Sequence, residues 1–355
     1  MFGFELNDVD PHDSMPRPVF KTLARENLPN LSTIMRQRVE EVFARISGEG
    51  EGAMKEGDEP VISAFDLSKS LIARMNNQLL FGDELGTSIP FTSGTARNGE
   101  GANKNTASND EFEEQSVRYA WHTIIVMQIL RQIPSLFVPF VAKIFLRWSG
   151  SMHYVGSRVQ DLVNERLSKR THERNEKARL DGTEWVISAS STPAQLSPQR
   201  LVQQMIALLF ASMHQMQMAT CWALIDLCAH QEHIPTLRKE IHDVFSSGCV
   251  NPYNKLRFMD AFLRESSRLN PLDGLTTQRK AMRDFYFSNG AGMVPKGNLV
   301  AIPQKVVMRD PERYENPEAF DPYRWMGQGG EEEANTMFTD VNWNFTFWGS
   351  PRKAW

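Results

Sequence analysis

"FLRESSRLNP", residues Phe262 to Pro271, decides the reading of this chain. Glu265 and Arg268 stand three residues apart, so on a helix they share one face. Alone, such a pair is a solvated contact worth roughly 0.2–0.5 kcal/mol. Farther on comes "NPEAFDPYRW", Asn316 to Trp325, in which Arg324 follows a rigid loop holding Pro317 and Pro322. A carboxylate held between two guanidinium forks locks a helix to such a loop through bidentate bonds. Glu265, Arg268 and Arg324 are therefore expected to meet as one buried triad.

Outward from that stretch, the chain reads mostly as helix joined by polar loops. Met259 to Leu269 carries the first pair of the triad. "GMVPKGNLVAIPQ", residues 292–304, follows it as short extended pieces with Pro and Gly punctuation and reads as hairpin strands. Upstream, Ser197-Pro198 looks like an N-cap with Pro at the first helical position, opening a helix to about Ala229. Its apolar residues lie on several faces, which suits an interior helix. Helical spacing also marks Asn30 to Ile46, Ala64 to Phe81 and Gly156 to Arg179. "DGTEWVISASSTPAQ", residues 181–195, reads as linker. Ser88 to Asp110 is rich in Gly, Asn, Ser and Thr with little to bury, so it is expected to be a disordered loop. No internal repeat is present. The fold class is mainly α with a small β region near the C-terminus.

The composition sets outer bounds. With 355 residues, 41% of them hydrophobic and 23% charged, the chain is an ordinary globular protein with enough material for a core. A net charge of −4 gives no indication of nucleic-acid binding through a basic face. Cys221, Cys228 and Cys249 form no CxxC pair, which suits free thiols in a reducing compartment. "MFGFELNDVD" has neither the basic flank nor the apolar core of a signal peptide or anchor. Tyr119 to Trp148 is the most membrane-like stretch, yet Arg131, Pro134, Pro139 and Lys143 interrupt it. Two amphipathic helices with one apolar face fit it better.

Three motifs in order carry a family resemblance: Glu265-x-x-Arg268, Pro317-x-x-Phe320-x-Pro322-x-Arg324-Trp325, and the Phe347-Trp348-Gly349 loop. Together they resemble the C-terminal half of a cytochrome P450, a haem-thiolate monooxygenase of the fungal, membrane-associated, secondary-metabolism type. The likeness runs from about residue 18 to 355. It implies one domain over residues 1–355 with a truncated cytochrome P450-like fold around a long central helix. That domain is expected to be incomplete at the N-terminus and to end at the haem-ligand loop. "PRPVFKTLAR", residues 16–25, is the counterpart of the family's haem-contacting aromatic and arginine, and it is too degraded for either to be assigned. Partners of a missing N-terminal sheet, near Val294 to Ile302, would show an open apolar face.

In that family the loop ends in the cysteine whose thiolate binds the haem iron. Here Trp348 takes the aromatic slot, Gly349 the glycine slot, Pro351 the usual second glycine and Lys353 the basic residue. The cysteine slot falls on Trp355, whose indole N–H donates and offers iron no lone pair. Haem is thus the implied cofactor, and thiolate ligation is expected to be absent. "LLFASMHQMQMATCWALIDLCAHQEHI" resembles the oxygen-binding helix, with Ala211-Ser212 at the usual kink and His214 and Gln215 in the acid and threonine positions of the proton relay. A histidine can relay protons near neutral pH, whereas Gln215 has no hydroxyl; a buried polar step explains the pair equally well. Arg279 stands where the family often holds a haem propionate, and a solvated strand residue is the alternative.

Cys221 and Cys228 share a helical face and read as small apolar residues. His230 and His233 read as helix-end residues, not zinc ligands. Phe137, Phe140 and Phe145 are expected either to face a membrane or substrate entry, or to pack.

The implied function is oxidation of a hydrophobic small molecule with electrons from a cytochrome P450 reductase, inactive in this form; the alternative is a non-catalytic small-molecule-binding relic. Peripheral membrane contact through residues 119–148 and a location in the cytoplasm or on the cytoplasmic face of the endoplasmic reticulum go with it.

Overall fold

Side-chain caps and apolar stripes at helical spacing shape most of the chain. The computed structural model describes residues 17–48, 62–86, 104–134, 136–172, 180–249, 251–272, 274–327, 337–340, 342–350 and 353–354. They divide between two units, Met1–Gln217 and Met218–Trp355. The fold is mainly α with a small β region.

The first unit runs α1 (Arg17–Gly48), α2 (Ala64–Phe81), α3 (Asp83–Gly86), α4 (Lys104–Arg131), α5 (Val138–Trp148), α6 (Gly150–His172), α7 (Gly182–Ala189) and the first part of α8 (Pro198–Ala229). Ser63 caps α2 by accepting a hydrogen bond from the Asp66 amide at 3.3 Å, and Gly82, at φ 64°, ends it. Apolar residues from α2, α4, α6, α7 and α8 form one core, with Phe81, Phe112, Val159 and Leu209 fully enclosed. Buried arginines tie the helices together. Arg74 of α2 bonds Glu41 of α1 at 3.3 Å and Glu113 of α4 at 3.0 Å. Arg166 of α6 bonds Asp181 at 2.9 Å and Glu84 of α3 at 3.0 Å.

Several expectations need correction here. Residues 182–189, read as linker, form α7. Asp181 caps it by accepting from the Glu184 amide at 3.0 Å, and Trp185, Val186 and Ile187 are buried. Helix α4 begins at Lys104, inside the expected disordered loop 88–110. Once the buried turn around Phe112 is helical, each further residue adds one backbone bond, so weak formers can extend it. Residues 87–103 lie outside the described residues, as do 173–179 of the expected Gly156–Arg179 helix. Helix α1 starts ahead of Asn30 and carries Pro29 within it.

The second unit holds the end of α8, then α9 (Ile234–Ser246), α10 (Arg257–Leu269), α11 (Gln304–Val307) and a 3₁₀ turn at Pro322–Trp325. Its strands are β1 (Thr276–Lys280), β2 (Phe285–Tyr286), β3 (Met293–Val294), β4 (Leu299–Ile302), β5 (Gly349–Ser350) and β6 (Lys353–Ala354). They pair antiparallel as β1–β4, β2–β3 and β5–β6. Residues 292–304, read as hairpin strands, hold β3 and β4: β3 pairs back to β2, and β4 pairs back to β1 with Thr276 opposite Ile302. Gly297, at φ 92°, lets the chain turn between β3 and β4.

Candidate functional site

The Glu265 carboxylate organises the second unit. It and Arg268 are both 0% exposed. One oxygen, Oε1, accepts from an Arg268 terminal nitrogen at 2.7 Å, from Arg324 Nε at 3.0 Å and from the Asp321 amide at 2.9 Å. The other, Oε2, accepts from Arg268 Nε at 2.9 Å and from Trp325 Nε1 at 2.9 Å. Arg268 also donates to the carbonyls of Met308 (2.9 Å), Pro317 (2.6 Å) and Ala319 (3.1 Å). Glu265, Arg268 and Arg324 thus come together, and the network fastens α10 to the loop through Trp325. It contains no nucleophile; its capability is positional. Sequence reasoning missed Trp325 as a donor, although the residue follows Arg324 directly, and missed the three carbonyls, which no side-chain motif can announce.

A second layer lies against the clamp. The Arg264 guanidinium stacks over the Trp325 ring at 4.1 Å. Tyr314 lies near Arg268, its hydroxyl donates to the Asn344 carbonyl at 2.7 Å, and burial pushes its phenol up to about 12. Asp260 accepts from the Phe338 amide at 2.7 Å, and burial raises its carboxyl in spite of that bond. Phe338 packs with Phe345, Phe347 and Trp348 in an aromatic cluster.

Into this cluster feeds the loop that begins at Phe347. Trp348 Nε1 donates to the Phe338 carbonyl at 2.8 Å, and the Thr346 carbonyl accepts from Gln304 at 2.5 Å. Gly349 has φ 110°, a conformation that favours glycine. Lys353 lies on β6 opposite Ser350. Trp355 and Pro351 lie outside the described residues. Arg279 sits on β1, exposed, with its guanidinium on the Gln278 carbonyl at 2.8 Å. Phe347 to Trp355 contains no cysteine. Cys221 is buried in α8, Cys228 is exposed at its end, and Cys249 is half-buried.

In the first unit, Ala211, Ser212, His214 and Gln215 are half-buried and Met216 is exposed, along a helix whose sequence is largely apolar. The Ser212 hydroxyl donates to the Leu208 carbonyl at 2.8 Å, one turn back. His214 meets the Trp121 ring edge-on at 5.6 Å. His230 stacks on Phe320 at 4.2 Å, and His233 is enclosed by Phe258, Phe262 and Tyr323. Among the described residues no group of three or more His, Cys, Asp or Glu is placed to hold a metal ion.

The sequence signature of the family described as Cytochrome P450 matches residues 102–338, more than half of the chain. The chain belongs to the cytochrome P450 family. Among its relatives, cytochrome P450 monooxygenase 71 of Postia placenta is 25% identical over 98% of this chain and 65% of its own length. Cytochrome P450 monooxygenase olcJ of Penicillium canescens is 25% identical over 92% of this chain and 58% of its own. The chain therefore spans less than two thirds of these relatives. The solved structure of retinoic acid-bound cyanobacterial CYP120A1 superposes with a TM-score of 0.65 over 96% of this chain and 65% of that one, at 17% identity. At that identity the likeness shows the fold. This cytochrome P450 chain thus carries the Glu265–Arg268–Arg324 clamp described above.

Proposed function

We propose that the chain is the scaffold of a monooxygenase for hydrophobic small molecules, and that this sequence does not form the thiolate-ligated haem which that chemistry needs. The observation that carries the reading is the absence of a thiol from Phe347 to Trp355 beside an intact Glu265–Arg268–Arg324 clamp. In haem-thiolate enzymes electron donation from sulfur favours O–O cleavage, and an indole has no lone pair for iron. Reconstitution with haem, reduction and addition of carbon monoxide test the reading through the Soret band. The expected result is no thiolate-type, red-shifted band. Such a band from the unmodified chain overturns the reading, and its loss in Cys221→Ser or Cys228→Ser then names the ligand.

One observation favours a second, non-catalytic reading. The half-open flank of α8 from Ala211 to Met216 offers a mixed apolar and polar surface to a small hydrophobic ligand. A haem-free sample that gains thermal stability with such a ligand supports binding without catalysis.

The same reading includes a reductase as electron donor for any catalytically active form. It also includes peripheral contact of residues 119–148 with a membrane, at the cytoplasmic face of the endoplasmic reticulum. Among the described residues no helix is long and apolar enough to cross a membrane.

A further inference from the structure

We infer that Ser151 and His122 form a nucleophile–base pair that takes an acyl group from a small neutral ester, in a cleft between α4 and α6. The cleft lies within the first unit and shares no residue with the clamp, the ligand loop or the flank of α8. Its volume is about 360 Å³, at the small end of ligand pockets, and Gln115, Arg118, His122, Gly150, Ser151 and Tyr154 line it. The Ser151 hydroxyl stands 2.9 Å from His122 Nδ1, within reach for proton transfer, and Ser149 Oγ stands 3.0 Å from the same nitrogen. The two serine hydroxyls are 3.1 Å apart, and both residues are buried, whereas His122 is exposed. Helix capping accounts for Ser149, which accepts from the Met152 amide at 3.4 Å. It leaves the pairing of Ser151 with an imidazole unexplained.

With the imidazole proton on Nε2, Ser149 donates to Ser151 and Ser151 donates to Nδ1. Ser151 Oγ then attacks the ester carbonyl carbon, and its proton passes to Nδ1. The ester C–O bond breaks, that proton leaves with the alcohol, and the acyl group stays on Ser151. Gly150 and Ser151 open α6, so their amides have no partner within the helix and are the kind of donor that a developing oxyanion needs. Nothing lies within 4 Å of the place a Gly150 Cβ would occupy, so the approach beside Ser151 is open. Charge selects a neutral ester: Arg118 already bonds Glu114 at 2.6 Å, and Tyr154 donates to Glu111 at 3.2 Å. Among the described residues no carboxylate bonds His122, and a carboxylate is the group that orients the imidazole in fast serine hydrolases. Release of the acyl group to water is therefore slow, and the acylated chain accumulates.

The test adds p-nitrophenyl acetate to the full purified chain and follows release of nitrophenolate. A burst of about one equivalent is expected, followed by slow turnover. Peptide mass spectrometry is expected to place the acetyl group on Ser151. Ser151→Ala should abolish the burst, and His122→Asn should slow it roughly 100-fold or more. Ser157→Ala, at an exposed serine that donates to the Tyr154 carbonyl, should leave the burst unchanged. A burst that survives in Ser151→Ala, an acetyl group found only on lysine or on His122, or no burst at all overturns the inference. Should Ser151→Ala lose its helical far-UV circular dichroism, the acetylated position in the unmodified chain decides alone.

Discussion

Replacing Arg268 with Leu is expected to be the most damaging single change in the clamp. The substitution removes both bonds to Glu265, at 2.7 and 2.9 Å, and leaves the Met308, Pro317 and Ala319 carbonyls without this donor. Glu265 is not stranded completely, since Arg324, Trp325 and the Asp321 amide still donate to it. One retained cation argues against the largest penalties, while three carbonyls losing a partner argue against small ones. The balance is a loss of roughly 3–5 kcal/mol, the range for breaking a buried ion pair. Arg324→Leu is expected to cost less, about 1–3 kcal/mol, because its side chain is partly open to water and makes one bond to Glu265. Urea unfolding of the haem-free chain, followed by far-UV circular dichroism, gives both numbers if the slope with denaturant stays constant. A loss below about 1 kcal/mol for Arg268→Leu, or a larger loss for Arg324→Leu, refutes this account of the clamp.

Two further outcomes are expected. Gly86→Ala should lower the melting temperature, since its Cβ would stand 2.5 Å from the Gln78 Cα, and overpacking of this kind costs roughly 1–3 kcal/mol; an unchanged melting temperature contradicts it. Asp226→Asn should stabilise the chain at neutral pH and gain less in mild acid. Burial raises the Asp226 carboxyl above its ordinary range, although Ser266 donates to it at 2.6 Å and Asn270 at 3.0 Å. The folded state therefore holds this proton more tightly than the unfolded one. Its contribution is present below the ordinary carboxylate range and is lost as pH rises through the raised value; unfolding midpoints at two pH values test the difference.

Local signals made the clamp and the long helices legible. Glu265 and Arg268 share a helix, and Pro317 and Pro322 fix the loop that carries Arg324, so each half of the clamp is marked locally. Ser197-Pro198 marked the start of α8 for the same reason. Helix α7 was missed because the serines after Ile187 resemble a linker, although Asp181 and Glu184 form a capping pair ahead of three buried apolar residues. The Arg74 hub was invisible because its partners lie 33 and 39 residues away, and an isolated arginine in a helix reads as solvated. Strand partners stayed unread because the Pro-Lys-Gly turn, residues 295–297, separates two strands without saying what each pairs with. Nothing in those residues says that β1 and β2 already supply the partners.

Fold and ligand chemistry are separable in this chain. The clamp draws its donors and acceptors from α10 and from residues Met308 to Trp325. The ligand loop is held by a different set: Asp260 to the Phe338 amide, Gln304 to the Thr346 carbonyl, and Trp348 to the Phe338 carbonyl. Around these bonds Phe338, Phe345, Phe347 and Trp348 exclude water, so the short polar contacts are strengthened by a low local dielectric. Every one of those contacts is complete by Trp348, ahead of the slot at residue 355. A change of side chain at residue 355 therefore removes none of these bonds. This is why stability and haem ligation are expected to part company: unfolding should respond to Arg268 and not to the residue at the slot, while the Soret band should respond to a thiol.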